Sequence, residues 1–206
     1  MFVITADQQG SRRSSDLVPA LLEELAPWQR QYRQQIERPL ERTVGDEVQG
    51  VLNDSHAAVD LALLLIRTGK WSVGIGAGEV DLPLAGSSRE SAGPAFISAR
   101  QAVERARRRS EPVPVVVEGS EEEDAVSATA VLQLAASVIR RRSEGGHQVA
   151  ELQQEGLGQT RIAERLGISQ QAVSQRIRAS LVEEERRVRP VIAQLLEQAA
   201  GSVVSR

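Results

Sequence analysis

Apolar and polar positions follow two different rhythms along this chain. Up to about residue 118, short apolar or β-branched runs alternate with longer amphipathic stretches. Beyond it, apolar residues recur only at three- and four-residue intervals. Phe2–Ala6 reads as a buried strand. Asp16 opens a helix running to about Gln35, interrupted or restarted near Pro27. Glu37–Val44 and Glu47–Asn53, joined by Gly45-Asp46, predict a hairpin. Asp54 or Ser55 caps a helix from about His56 to Arg67, which Gly69 stops. Trp71–Val80 predicts a strand, residues 81–92 a Gly/Ser/Pro loop, Pro94 to about Arg109 a helix, and Pro112–Glu118 a β-branched strand. The order β-α-β-β-α-β-α-β predicts an α+β domain over 1–118, an antiparallel sheet with helices on one face. Residues 119–124, GSEEED, form a polar joint. The remainder, 125–206, predicts an all-α domain with helices near 125–143, 147–155, 159–166, 170–179 and 181–199.

Within that helical part, residues 159–180 carry the most specific pattern. Ala163, Gly167 and Val173 stand at offsets 0, +4 and +10, the spacing of a helix-turn-helix. A small residue lets the two helices cross closely, glycine takes the positive φ of the turn, and valine packs the second helix on the first. Ile162, Leu166, Ile168 and Ile177 complete a small core. The face left over is polar. Gln170, Gln171, Ser174 and Gln175 are candidate base readers, and Ser169 is a cap able to offer its hydroxyl to a phosphate. Arg161, Arg176 and Arg178 are candidate phosphate contacts, with Arg178 also able to reach a guanine. The element resembles the LuxR and sigma-factor region-four types.

Net charge is −3, which argues against indiscriminate nucleic-acid binding, but the charge is uneven. Residues 1–124 hold 14 Lys/Arg against 20 Asp/Glu, or −6; residues 125–206 hold 11 against 8, or +3. The basic part is the part with the helix-turn-helix. Cysteine is absent, which excludes disulfides and thiolate metal sites and fits a cytoplasmic protein. The longest apolar run, Leu61–Ile66, is too short to insert in a membrane, and the N-terminus has no secretion-signal pattern. Glu183–Glu185 and Arg186–Arg189 read as a solvated charged face. Leu181, Val188, Val191, Ile192, Leu195, Leu196 and Ala199 make an apolar stripe for packing on the first domain or for a homodimer.

Three N-terminal stretches belong together: TADQQGSR (5–12), RTVGDEVQG (42–50) and VGIGAGEV (73–80), followed by GPAFISARQAVERA (93–106). Neighbouring strands bring Asp7 and Asp46 together, and a carboxylate pair with nucleotide phosphates is a common Mg²⁺ site. Gly74, Gly76 and Gly78 suit either phosphate cradling or close helix packing. These stretches resemble class III nucleotidyl cyclases and, more distantly, the palm-like GGDEF cyclases. That resemblance implies a ferredoxin-like, palm-like fold and metal ligands at Asp7 and Asp46. It implies nucleotide contacts at Arg42, Gly45, Glu47, Gly76, Gly78 and Glu90. The catalytic helix departs from the family, with Ile97 where cyclases keep Asn and Gln101 where they keep Arg. Arg100 is displaced by one residue, about 100° around the helix. Losing that charge stabilisation costs several kcal/mol of barrier, so no catalytic residue is expected. As a whole the chain resembles the SatD family, whose members begin with similar TADxxGSR and GDExQG stretches and end in a helix-turn-helix.

The resulting expectation is a DNA-binding transcriptional regulator, dimeric on double-stranded DNA. Its cyclase-like domain would sense a nucleotide or nucleotide second messenger, with Mg²⁺. The alternatives are an active nucleotidyl cyclase or related phosphoryl-transfer enzyme, and a dimeric adaptor that binds no nucleotide.

Overall fold

The computed structural model describes residues 1–11 and 14–201; Arg12 of the TADQQGSR stretch and the last five residues of the expected helical domain lie outside it. The chain is α+β. Five strands, β1 (Phe2–Gln8), β2 (Ile36–Arg42), β3 (Glu47–Leu52), β4 (Trp71–Ala77) and β5 (Val115–Gly119), form one sheet in the order β2-β3-β1-β4-β5. The first four pair antiparallel, but β5 joins β4 in parallel. The expected wholly antiparallel sheet is therefore corrected to a mixed one. The reason is connectivity: the helix α4 (Pro94–Ala106) between β4 and β5 returns the chain to the end where β4 began.

The helices cover both faces, not one. α1 (Val18–Glu24), α2 (Ala26–Gln31) and α3 (Ser55–Arg67) lie on the face that carries Ile4, Leu52, Ile75 and Val117. α4 lies on the other, over Val3 and Val51. Every residue of β1 and of β4 is buried, as a sheet covered twice requires. Local signals account for the boundaries. Asp54 caps α3 by accepting from Ala57 N–H at 2.8 Å, and Pro27 restarts the first helix as α2 after Leu25. Gly45 turns the β2–β3 hairpin at φ 61°. The helix predicted to reach Gln35 stops at Gln31.

The expected joint at 119–124 does not separate hydrophobic cores. Gly119 ends β5, and α5 (Glu122–Arg141) starts two residues after Ser120. α5 and the last helix, α9 (Val182–Ala199), pack into the same core as the sheet through Leu132, Ala136, Ile192 and Leu196. α5 also closes the sheet's open edge. Thr129 Oγ1 accepts from Val117 N–H at 2.9 Å and donates to Val117 C=O at 3.2 Å; Gln133 Nε2 donates to Val115 C=O at 3.0 Å. An uncovered strand edge invites pairing with another chain. Pro190 sits inside α9 without ending it.

A second, smaller core belongs to α6 (Glu144–Gln154), α7 (Gln159–Leu166) and α8 (Gln170–Ala179). Val149, Leu152, Ile162, Ala163, Val173 and Ile177 fill it. Among the described residues no helix is long and apolar enough to cross a membrane.

Candidate functional site

α7 and α8 are joined by the short segment Gly167–Ser169. Gly167 ends α7 in the left-handed region at φ 64°, and Ile168 N–H returns to Ala163 C=O at 3.1 Å. Ser169 caps α8 by accepting from Ala172 N–H at 3.1 Å. Val173 and Ile177 point inward, while Gln170, Gln171, Gln175 and Arg178 are exposed and Ser174 is half-buried. Arg161 is exposed on α7. Arg176 departs from this set. It is half-buried, and its guanidinium lies where a Cβ on Gly145 would stand, 2.9 Å away, so it packs on the start of α6. The exposed stripe of α8 is thus Gln171, Gln175 and Arg178, with Gln170 at its N-terminal end.

The acidic residues meet at one end of the sheet. Asp7 pairs in register with Glu47 across β1 and β3, and Gln8 N–H donates to Asp46 C=O at 3.2 Å. Arg42 pairs with Asp16 and also donates to Gly45 C=O. Gln8, Ser14, Asp16, Arg42, Gly45 and Asp46 border a shallow groove of about 440 Å³. Arg107, at the end of α4, approaches Asp7 at 3.3 Å. Asp7 is only 7% exposed, and burial pushes its carboxyl up to about 6; Arg107 opposes the rise, and Asp46 and Glu47 add to it. Among the described residues no three acidic or histidine side chains are placed to hold a metal. Asp7 and Asp46 would therefore need phosphate oxygens to complete a Mg²⁺ shell, and the Mg²⁺ would have to displace Arg107.

Asp7 makes the fold pH-dependent. Its proton is held more tightly in the folded chain than at the ordinary value of 3.8. Its contribution is therefore whole below pH 4 and is lost as pH rises towards 6. The Asp7→Asn variant is expected to be more stable than the parent at pH 7.5, by about 2 kcal/mol. That is rounded down from about 1.4 kcal/mol per pKa unit. The gain should vanish below pH 4. Denaturant midpoints across that range measure it, and an equal effect at pH 3.5 and 7.5 would count against the assignment.

The remaining nucleotide candidates are elsewhere. In register, Asp7 faces Ser72 while Phe2 faces Ala77, so Gly76 and Gly78 lie at the opposite end of the sheet from Asp7. Gly76 is covered by α4: a Cβ there would stand 1.9 Å from Ala95 C=O. A Cβ on Gly78 would meet Ser120 Oγ at 2.9 Å, and the carbonyl of Gly78 takes the N-terminal ammonium at 3.0 Å. These glycines serve close packing. Glu90 is exposed in the loop after β4, which docks on the β2–β3 hairpin through Ser88 and Arg38.

The structure also assembles residues that sequence reasoning left apart. Tyr32 donates to Asp60, Asp60 accepts from Arg189, Arg189 donates to Glu185, and Glu185 pairs with Arg142 at 3.4 Å. Arg142 Nε donates to Ser180 C=O at 3.1 Å, at the end of α8. Glu185 and Arg142 side chains are 5% and 4% exposed, so Glu185 leaves the expected solvated face for a buried ionic chain, while Glu184, Arg186 and Arg187 stay exposed. Burial works against the charge of Arg189, but Glu185 and Asp60 outweigh it and hold its pKa above the usual value. Burial and the bond to Asp60 push the Tyr32 phenol above its ordinary range. The i,i+4 spacing of Glu185 and Arg189 was the one visible trace.

An α+β protein with a twice-covered mixed sheet and an appended three-helix unit is the class these elements define. The family model of the SatD family matches residues 3–196. The chain belongs to the SatD family. No curated protein and no solved structure matches it.

Proposed function

We propose that this chain is a sequence-specific DNA-binding transcriptional regulator that reads the major groove with α8. The single observation that carries the reading is the α7–Gly167–Ser169–α8 unit. Its own small core leaves Gln171, Gln175 and Arg178 exposed together, with Gln170 beside them. Phosphate anchoring falls to Arg161, Arg178 and the Ser169 cap, since Arg176 is held against α6. With so few cations, paired half-sites and a homodimer complete the affinity. Exposed Val126 and Leu134 on α5 and Val191 on α9 offer apolar surface for it.

The sheet is the sensory half of the proposal. The antiparallel set β2-β3-β1-β4 supports the ferredoxin-like, palm-like reading, and the Asp7–Asp46 end with Arg42 supports a nucleotide there, with Mg²⁺. Exposed Ile97 on α4 favours binding over turnover, because it stands where a cyclase would need a polar group. Selection of bound sequences from a random duplex library is expected to yield a palindromic site. Arg178→Ala is then expected to weaken binding and lower the salt slope by about one phosphate contact. An unchanged slope would remove Arg178 from the interface. A library without enrichment would remove the proposal.

A further inference from the structure

α5 has an outer face that the described residues leave uncovered. Ala125, Ala128, Leu132, Ala135, Ala136 and Ile139 enter the core with α9 and the sheet. On the opposite side Glu123, Ser127, Ala130, Leu134 and Arg141 are exposed, and Ser137 is half-buried. These six follow one another at steps of four, three, four, three and four residues. That is the heptad spacing of a helix that pairs with another helix.

A helix with one face in the core ordinarily turns charged residues outward. α5 carries no charged residue between Asp124 and Arg140. Leu134, on the outer face, is 67% exposed, and Val126, two turns earlier, is 52% exposed. The charge stands at the two ends instead. Glu122, Glu123 and Asp124 open the helix, and Arg140 and Arg141 close it. Among the described residues neither Glu123 nor Arg141 has an ion-pair partner.

The outer row also has a centre. Glu123 and Arg141 stand nine residues before and after Leu132, Ser127 and Ser137 five, and Ala130 and Leu134 two. Turned end for end, the row meets itself with acid on base, hydroxyl on hydroxyl and leucine on alanine. A parallel copy would set Glu123 on Glu123 and Arg141 on Arg141. Ser127, Ala130 and Ser137 are small, so two such helices can approach to the near end of the usual interaxial range. Antiparallel pairing also sets each acidic N-terminus beside a basic C-terminus, with the helix dipoles opposed.

We propose that a second copy of this chain covers this face, packing α5 on α5 antiparallel about a two-fold axis at the level of Leu132. Charge complementarity chooses the occupant. The partner must be basic where α5 is acidic and acidic where α5 is basic, over the same length, and α5 itself meets that description. Each face is used twice, as a closed two-fold dimer requires. Leu134 of each copy fills the space over Ala130 of the other, and Glu123 of each reaches Arg141 of the other. Arg142, the next residue, holds Ser180 C=O at the end of α8 at 3.1 Å. The pairing therefore puts the two three-helix units at opposite ends of the seam. Its use on paired half-sites rests on the DNA-binding reading above; the pairing itself rests on α5 alone.

Sedimentation velocity of the full chain over a micromolar concentration series tests the seam. The parent is expected to pass from monomer to dimer as concentration rises. Leu134→Glu is expected to weaken the dimer about tenfold or more, with an unchanged circular dichroism spectrum because the side chain lies outside the core. Glu123→Arg alone and Arg141→Glu alone each set like charges together at both ends, and each should weaken it about tenfold. Mixing these two single variants should restore dimerisation, as should the double variant Glu123→Arg/Arg141→Glu. Within one chain the two positions are about 27 Å apart along the helix, beyond the screening length at physiological salt, so the recovery reads a contact between chains. A monomer at every concentration overturns the proposal. So does a dimer indifferent to all three single variants, and so does weakening that neither the mixture nor the double variant repairs. A dimer with this pattern that selects no duplex refutes the regulator and leaves the seam standing. A Leu134→Glu monomer that binds the selected duplex as tightly as the parent removes the seam from DNA reading.

Discussion

Gly76→Ala is expected to cost about 3 kcal/mol or more and to lower the melting temperature markedly. The added methyl would stand 1.9 Å from Ala95 C=O and 2.4 Å from Ala99 N. Both are backbone atoms of α4, so no rotamer change relieves the clash, and α4 must lift off β4. Gly74 repeats the arrangement one pleat away, with Val103 N 2.3 Å from its virtual Cβ. Ordinary overpacking costs about 1–3 kcal/mol because side chains can give; here the helix itself must move. For a chain of this length each kcal/mol shifts Tm by roughly 2–4 °C, so the variant should melt about 10 °C lower. Differential scanning calorimetry measures it. A shift of only a degree or two would mean that α4 is not seated as described. A phosphate-cradle role predicts the opposite pattern, with a normal Tm and lost nucleotide affinity.

Glu185→Ala is the second large effect, expected at about 3–5 kcal/mol. It leaves Arg142, 4% exposed at its side chain, and Arg189 facing each other without their shared carboxylate. Most of the cost is the uncompensated buried charge, not the value of the pair itself. Removing all three charges together, Arg142→Met/Glu185→Leu/Arg189→Met, should therefore recover much of the loss. Chemical denaturation of the single and triple variants checks this. If the single variant were as stable as the parent, the chain would be solvated, as its run of charged residues suggested from sequence. The two variants also differ in consequence for α8. Gly76 lies under α4, away from α6–α8, whereas Arg142 secures Ser180.

Short-range signals were legible in the sequence because their physics is short-range. The Asp54 cap, the Pro27 restart, the Gly45 turn and the Gly167–Ser169 turn each depend on a few neighbouring residues. Asp7 and Asp46 were placed correctly at one end of the sheet because a hairpin beside β1 leaves little choice. Arg107 beside Asp7 was not foreseeable, since the contact joins the ends of β1 and α4 across a hundred residues. Burial of α9 against the sheet was visible as its apolar stripe, but the stripe alone did not choose between a domain core and a dimer. Ile192 and Leu196 entered the core, whereas Val191 stayed exposed.

By itself the sequence determined the element order, the α7–α8 part of the small helical core and the polar outer stripe of α8. Helix caps, turn glycines and apolar periodicity act within a few residues, so no distant partner is needed to fix them. Only the tertiary structure decided that α4 fills the glycine row, that β5 runs parallel to β4, and that α5 and α9 belong to the sheet's core. It also drew Glu185 and Arg189 out of a charged run into the ionic chain from Tyr32 to Ser180. Each of these depends on which surfaces exclude water together. That is a property of the packed whole, because a charge or a glycine carries the same local signature whether a partner covers it or not.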